Sequence, residues 1–377
     1  MDIYVVRPGD TLYRLARRYS TTAEQLAWLN QLDAPERLLP NQALLVPGPM
    51  PAERPEILVN GYAYPNVAEA VLAEALPSLS FLCPFSRRLS MQGTLLPLDD
   101  TALVSAALAQ EVAPFLTVTN LGDNGGFSSD IAHAVFTDRQ VQDAALDNIF
   151  DALSQGRWAG VNLNFEYVYP FDREAYNRFL RRLSEALHAR GWYLSTAIAP
   201  KEKPGQEGLL YSAHDYAAHG RWADWVVLMT YEWGYTYSAP QAVSPVNRIR
   251  RVLDYAVTQM PAGSILLGFS NYGYRWRLPW RQGDAASVIS NAAAINLAAA
   301  TGAELRFDEA AQAPWFTYTD SAGQRYVVWF EDARSVRARL ALVREYALAG
   351  FSWWTINRLF RAPLQLSAAE FDVLKIL

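Results

Sequence analysis

The chain has 377 residues, 51% of them hydrophobic and 19% charged, with a net charge of −5 at pH 7. That length exceeds one ordinary domain, and the apolar share excludes a disordered chain. The acidic balance argues against a nucleic-acid partner held by phosphate attraction, and a single cysteine, Cys83, excludes an internal disulfide or a multi-cysteine metal site.

The chain begins Met1-Asp2-Ile3-Tyr4, without a basic segment followed by an apolar one, so no conventional secretory signal is expected and synthesis is assigned to the cytoplasm. No run of about 18 apolar residues suggests a membrane span. The four histidines (His133, His188, His214 and His219) lack ligand spacing, so neither a metal nor another cofactor is expected. Aromatic residues are plentiful, with 12 Trp, 20 Tyr and 16 Phe, which suits a large core and also sugar stacking.

Residues 1–49 read as a separate small unit. Ile3–Val6 is a short strand, and Arg7-Pro8-Gly9-Asp10 is a turn. Leu12, Leu15, Ala16 and Tyr19 recur at helical spacing, and Thr22 caps a second helix carrying Ala23, Leu26, Ala27 and Leu29. Ala43–Val46 closes the unit as a strand, giving the order strand, helix, helix, strand. Prolines crowd the stretch 47–55, so residues 50–56 are expected to form a semi-rigid linker.

Residues 57–377 alternate apolar runs with amphipathic helices, the pattern of parallel βα units. Eight runs are predicted as strands: Ile57–Tyr62, Leu79–Cys83, Pro114–Val118, Gly160–Phe165, Tyr193–Ile198, Trp225–Thr230, Ser264–Phe269 and Phe351–Thr355. The clearest helix lies between Asp172 and Arg190, with Ala175, Phe179, Leu183 and Leu187 on one stripe and Gly191 at its end. The fold class is therefore α/β, a (β/α)8 barrel, with the surplus at about 275–330 read as a β insertion after the seventh strand. Barrels place chemistry at the C-terminal ends of their strands. In the fourth run, strand alternation puts Asn162, Asn164 and Glu166 on one side and Val161, Leu163 and Phe165 on the helix-facing side. Polar groups inside a barrel are costly unless bonded or used.

Two resemblances add to this reading. YVVRPGDTLYRLARRYSTTAEQLAWLN followed by LLPNQALLVPG resembles a LysM module. That implies binding of N-acetylglucosamine-containing glycans in a groove between Gly9, Asp10, Thr11 and Leu12 on one side and Leu38, Leu39 and Pro40 on the other. The larger part is similar to glycoside hydrolase family 18, and within it to LysM-bearing spore-germination and cortex-lytic enzymes. The supporting runs are NFEYVYPFDREAYNRFLRRL, STAIAPK, LMTYEWGYTYSAP, GFSNYGYRW, VWFEDARSV and GFSWWTINR.

The resemblance implies a retaining N-acetylglucosaminidase in which the substrate's own acetamido oxygen attacks the anomeric carbon, an exception to the two-carboxylate rule. Carried over by position, Glu166 is the acid and later the base, Asn164 orients the acetamido group, and Tyr231 contacts its oxygen. Trp354 floors the central sugar subsite, while Trp353, its neighbour on the strand, points to the helices. Asn162, Met229, Glu232, Asn271 and Tyr272 complete the expected substrate contacts.

The family motif Asp-x-x-Asp-x-Asp-x-Glu reads Ala159, Asn162, Asn164 and Glu166 here. The loss of anions is expected to lower the pKa of Glu166 unless desolvation compensates. The expected partner is peptidoglycan, of the spore cortex or elsewhere in the envelope, or another N-acetylglucosamine glycan such as chitin. No nucleic acid, membrane or obligate protein partner is implied. A spore-coat or envelope protein that binds the glycan and cuts it poorly, or serves there as a structural component, stands as the alternative.

Overall fold

A computed structural model describes residues 1–49 and 51–377; Met50, within the expected linker, lies outside the described residues. The N-terminal unit pairs Asp2–Val5 antiparallel with Ala43–Val46, with Ile3 opposite Leu45. Its helices, Leu12–Arg18 and Ala23–Leu29, start where threonine hydroxyls can accept free backbone N–H groups: Thr11 caps the first through Arg14 N and Thr22 the second through Gln25 N. Leu12, Leu15, Leu26 and Leu44 fill the small core.

Eight parallel strands form the barrel: Glu56–Ala63, Phe81–Pro84, Ala113–Thr119, Gly160–Asn164, Tyr193–Ile198, Trp225–Leu228, Ile265–Ser270 and Gly350–Trp354. Each pairs in parallel with the next, and the eighth closes on the first with Ser352 opposite Asn60. All eight predicted runs are present. The largest shift is in the second, where Leu76–Ser78 forms a 3-10 turn and the strand starts at Phe81.

Alternation sorts the side chains into two layers. Val161, Leu163, Phe165 and Trp353 pack outward with the helices, among them Arg173–His188 with Ala175, Phe179, Leu183 and Leu187 buried. Leu58, Tyr62, Phe81, Phe115, Val227 and Leu266 fill the barrel interior. Polar groups there are cross-bonded: Asn60 Nδ2 donates to Ser352 Oγ (2.8 Å), and Tyr62 OH donates to Asn162 Oδ1 (3.0 Å).

The insertion is a separate antiparallel sheet of Gly273–Leu278, Ser287–Ile289, Arg306–Asp308, Ala313–Thr319 and Arg325–Trp329, with the helix Asn291–Thr301 packed on it. Its hairpin turn closes at Gly323, where a φ of 79° calls for glycine. Glu331, just beyond this sheet, and Arg339 form a fully buried ion pair at 2.7 Å that ties the insertion to the following helix.

The spacer does not hold the N-terminal unit away from the barrel. Gln31 bridges Leu359 O (3.1 Å) and Arg361 N (2.8 Å), and the Arg361 guanidinium lies 4.1 Å from the centre of the Trp28 ring. Asn41 Nδ2 donates to Leu305 O (3.0 Å), while Asn296 joins the insertion helix to Gln31 and Asp33. Leu39 packs against the insertion's own core. Proline spacing signals a boundary; it does not reveal that the two sides carry complementary polar surfaces.

Candidate active site

The fourth strand ends at Asn164, and Glu166 follows two residues later, at the mouth of the barrel. The site opens as a cleft of about 430 Å3 whose walls include Asn164, Glu166, Met229, Tyr231, Glu232 and Trp354. Tyr167, Tyr211, Trp233, Tyr235 and Phe127 extend it, so the cleft is mostly aromatic with two carboxyls in its lining.

Glu166 is fixed by its backbone. Asn120 lies just past the third strand; its Oδ1 accepts the Glu166 N–H (3.0 Å), and its Nδ2 donates to the Glu166 carbonyl (2.8 Å) and to Ser128 O (2.9 Å). On the other side, His214 Nε2 sits 2.8 Å from Phe165 O, and Nδ1 sits 2.9 Å from the Ala199 N–H. A carbonyl accepts and an amide donates, so the proton is on Nε2. Burial pushes the imidazole pKa down to about 4, which keeps it in this neutral form.

Glu166 is pushed up to about 8, first by removal from water, then by the charge of Glu232, against an opposing contact from the Asn164 amide. The expected fall in its pKa from the missing aspartates is therefore outweighed by desolvation, with Glu232 supplying a nearby anion. Glu232 has a φ of 62°, a left-handed conformation rare for a side-chain-bearing residue. Two phenols hold it there: Tyr272 OH and Tyr274 OH both donate to Glu232 Oε1, at 2.8 and 3.0 Å.

Trp354 is held edge-on by Phe85 (4.7 Å between ring centres) and Tyr62 (5.3 Å) and runs nearly parallel to Tyr231 at 6.4 Å. Asn164 is 2% exposed, and its Oδ1 has no hydrogen-bond partner among the described residues. A buried acceptor without a partner is costly, and it is suited to an arriving N–H.

The structure thus brings Glu166, Asn164, Tyr231, Met229, Glu232 and Trp354 into one cleft. It places three other expected contacts elsewhere. Asn162 lies beneath the cleft with no exposure, and its amide is committed to Tyr62 and, through Nδ2, to Ser195 Oγ at 2.8 Å. Asn271 donates to Thr355 O (3.0 Å) and Arg358 O (2.6 Å), bracing the chain after the eighth strand. Tyr272 is buried behind Glu232 and acts through it. Strand alternation puts Asn162 on the side of Asn164 and Glu166 without giving its depth along the barrel axis, and Asn271 and Tyr272 are expected from the family resemblance alone.

Sequence reasoning missed Asn120 and His214, although a polar residue just past the third strand was a signal for the first. In the N-terminal unit, Gly9, Thr11 and Pro40 are exposed and Leu38 is half-buried. Leu12 is buried in the core rather than on the groove surface. The Asp10 carboxylate is already bonded, by Tyr4 OH (2.7 Å) and Arg7 N (2.8 Å), which lowers its pKa.

Comparison with known proteins gives the family and the fold. The model of the glycosyl hydrolases family 18 matches residues 120–358, and that of the LysM domain matches residues 4–47. The cortical fragment-lytic enzyme of Bacillus subtilis (strain 168) is 40% identical, over 100% of this chain and 99% of the relative. The crystal structure of the Bacillus megaterium QM B1551 spore cortex-lytic enzyme SleL superposes with a TM-score of 0.94 at 29% identity, covering 100% of this chain and 99% of that one. A chitinase from Chromobacterium violaceum ATCC 12472 is also similar, with a TM-score of 0.77 at 29% identity, covering 83% of this chain and 98% of that one. The chain belongs to the glycosyl hydrolases family 18 and carries a LysM domain at its N-terminal end.

Proposed function

We propose that this protein is a retaining N-acetylglucosaminidase that cleaves peptidoglycan of the spore cortex, with the LysM domain adding glycan affinity. The observation that carries the reading is Glu166: a carboxyl lining the cleft, held by the Asn120 clamp and pushed up to about 8 by burial and then by Glu232, is mostly protonated at pH 7 and ready to act as an acid.

In the proposed reaction, the Glu166 proton passes to the glycosidic oxygen as its bond to the anomeric carbon breaks. The acetamido carbonyl oxygen of the same sugar attacks that carbon, forming a cyclic oxazolinium. Water then attacks the anomeric carbon from the face of the departed group, giving its proton to Glu166, so configuration is retained. Asn164 Oδ1 accepts the acetamido N–H, Tyr231 OH bonds the acetamido oxygen, and Trp354 stacks on the pyranose. Support for a cortex substrate comes from the LysM match and from relatives described as cortical fragment-lytic and spore cortex-lytic enzymes. On this reading the protein acts at the spore; no helix among the described residues is long and apolar enough to cross a membrane.

A second reading, a glycan-binding protein that cuts slowly, is favoured by Asn164 alone, because an amide offers no charge to the cationic intermediate. Asn164→Asp separates the two. A rise in turnover of about tenfold or more marks Asn164 as a handicap and favours the slow-cutting reading, whereas a fall shows a site tuned around the amide and favours the enzyme. The direct test of the main reading is incubation with peptidoglycan fragments and mass spectrometry of the new sugar ends. Reducing N-acetylglucosamine ends support it, and binding without cleavage overturns it.

A further inference from the structure

The catalytic cleft does not exhaust the barrel mouth. On the other side of Trp354, between the ends of the first and eighth strands, lies a second depression of about 530 Å3 lined by Tyr64, Pro65, Asn66, Thr355, Asn357 and Arg358. It adjoins the cleft through the tryptophan, since the Tyr64 ring packs edge-on against Trp354 at 6.1 Å and against Phe85 at 5.6 Å.

Its walls are braced. Asn357 Oδ1 accepts the Tyr64 N–H (2.8 Å), and its Nδ2 donates to Asn66 Oδ1 (3.2 Å), linking the two loops. With that oxygen engaged, the Asn66 amide has its N–H groups left to donate. Tyr64 is 40% exposed, and its hydroxyl has no partner among the described residues. Arg358 is exposed, and its guanidinium makes no ion pair with any described carboxylate.

The lining therefore offers three kinds of donor, one of them a full positive charge, and no acid. This contrasts with the neighbouring cleft, whose ionisable centre is the pair Glu166 and Glu232. The Arg358 charge is felt at Tyr64, opposing the rise that burial and then Glu232 impose on its hydroxyl.

We propose that this depression is a second glycan subsite that holds a carboxylate-bearing substituent of the substrate, with Arg358 as its counter-ion and Asn66 and Tyr64 as neutral donors. The inference rests on the proposed action on peptidoglycan and deepens it: a purely N-acetylglucosamine polymer has no carboxylate, whereas a peptidoglycan strand bears them. Two sources share this chemistry, the lactyl ether of a muramic sugar and the peptide attached to it. A planar guanidinium suits a carboxylate better than an ammonium does, because it offers two parallel N–H donors.

The test uses the full chain carrying Glu166→Gln, so that ligands survive, with and without Arg358→Gln, Arg358→Lys or Asn66→Ala. Calorimetry compares three ligands: an N-acetylglucosamine–muramic acid disaccharide with a free lactyl carboxylate, the same disaccharide with that group in amide linkage to a peptide bearing carboxylates, and chitotetraose. Arg358→Gln is expected to lower the preference for an anionic ligand over chitotetraose by about fivefold, the upper end for an exposed ion pair. Arg358→Lys should restore part of that preference, and rising salt should shrink it in the parent protein. Loss with the first ligand alone identifies the lactyl group, and loss with the second alone identifies the peptide. An unchanged preference ratio with both anionic ligands overturns the subsite. Cleavage by the protein with Glu166 intact is read separately: failure to cut any of these substrates defeats the proposed function, while the affinity ratio still decides the subsite.

Discussion

Replacing Glu166 with glutamine should remove catalysis and stabilise the fold, and the stabilisation should depend on pH. The folded protein holds this carboxyl protonated up to about 8, against an ordinary value of 4.5. A raised folded-state pKa means that the fold binds the proton more tightly than the unfolded chain does. The group's contribution to stability is thus complete below about pH 4.5, declines as pH rises, and is gone above about pH 8. At 1.36 kcal/mol per pH unit, the upper bound on that loss is about 5 kcal/mol. The carboxyl faces an open cleft where water screens part of the effect, so about half, ~2.5 kcal/mol, is the working figure. Glutamine has the same shape and never ionises, so the variant avoids this loss. For a chain of this length, ~2.5 kcal/mol corresponds to a melting temperature higher by about 3 °C. Calorimetric melts of both proteins at pH 4, 7 and 9 provide the assay. The gap should be near zero at pH 4, intermediate at pH 7 and largest at pH 9. A gap that does not vary with pH, or a variant less stable at pH 9, would refute the reasoning about the buried carboxyl.

The same electrostatics predicts that Glu232→Gln moves the alkaline limb of the kcat/KM profile from about pH 8 toward acid by about one unit, because it removes the anion that helps hold the Glu166 proton; an unmoved limb would show that Glu232 has no such influence. Asn120→Ala leaves the Glu166 N–H and carbonyl without their clamp, and kcat should fall by about tenfold or more with KM little changed. A rise in KM with kcat intact would make Asn120 a binding residue instead. Deleting residues 1–49 uncovers Leu359, Arg361 and the insertion surface around Leu305, so the remaining barrel should melt at a lower temperature as well as bind insoluble cell wall less tightly. An unchanged melting temperature would show that the docked contacts add nothing to stability.

The barrel was legible because each buried parallel strand carries its own apolar run, and a run needs no knowledge of its neighbours. Gly160–Asn164 and Tyr193–Ile198 stand out for that reason, as do the threonine caps of the two short N-terminal helices. Glu166 was legible as a candidate because a carboxyl at a strand's C-terminal end, in a run that keeps the glutamate of a family motif though not its aspartates, has few other uses. What the sequence leaves open is depth and partnership. Asn162 and Asn164 share a face and differ by one pleat, yet one bonds within the barrel core and the other lines the cleft. Tyr272 and Tyr274 gain meaning only when the seventh strand's continuation brings them to Glu232, about forty residues away in sequence. His214 is an isolated histidine on paper; folding places it under the residue that precedes Glu166.

The central claim is that Glu166 hands a proton to the glycosidic oxygen while the substrate's acetamido group displaces it. Proton NMR of the first product formed from a β-linked, N-acetylglucosamine-containing peptidoglycan fragment tests this most directly. The account predicts initial release of the β-anomer at a new reducing N-acetylglucosamine end, and no product from the Glu166→Gln protein. Initial release of the α-anomer, or undiminished cleavage after that substitution, would contradict it.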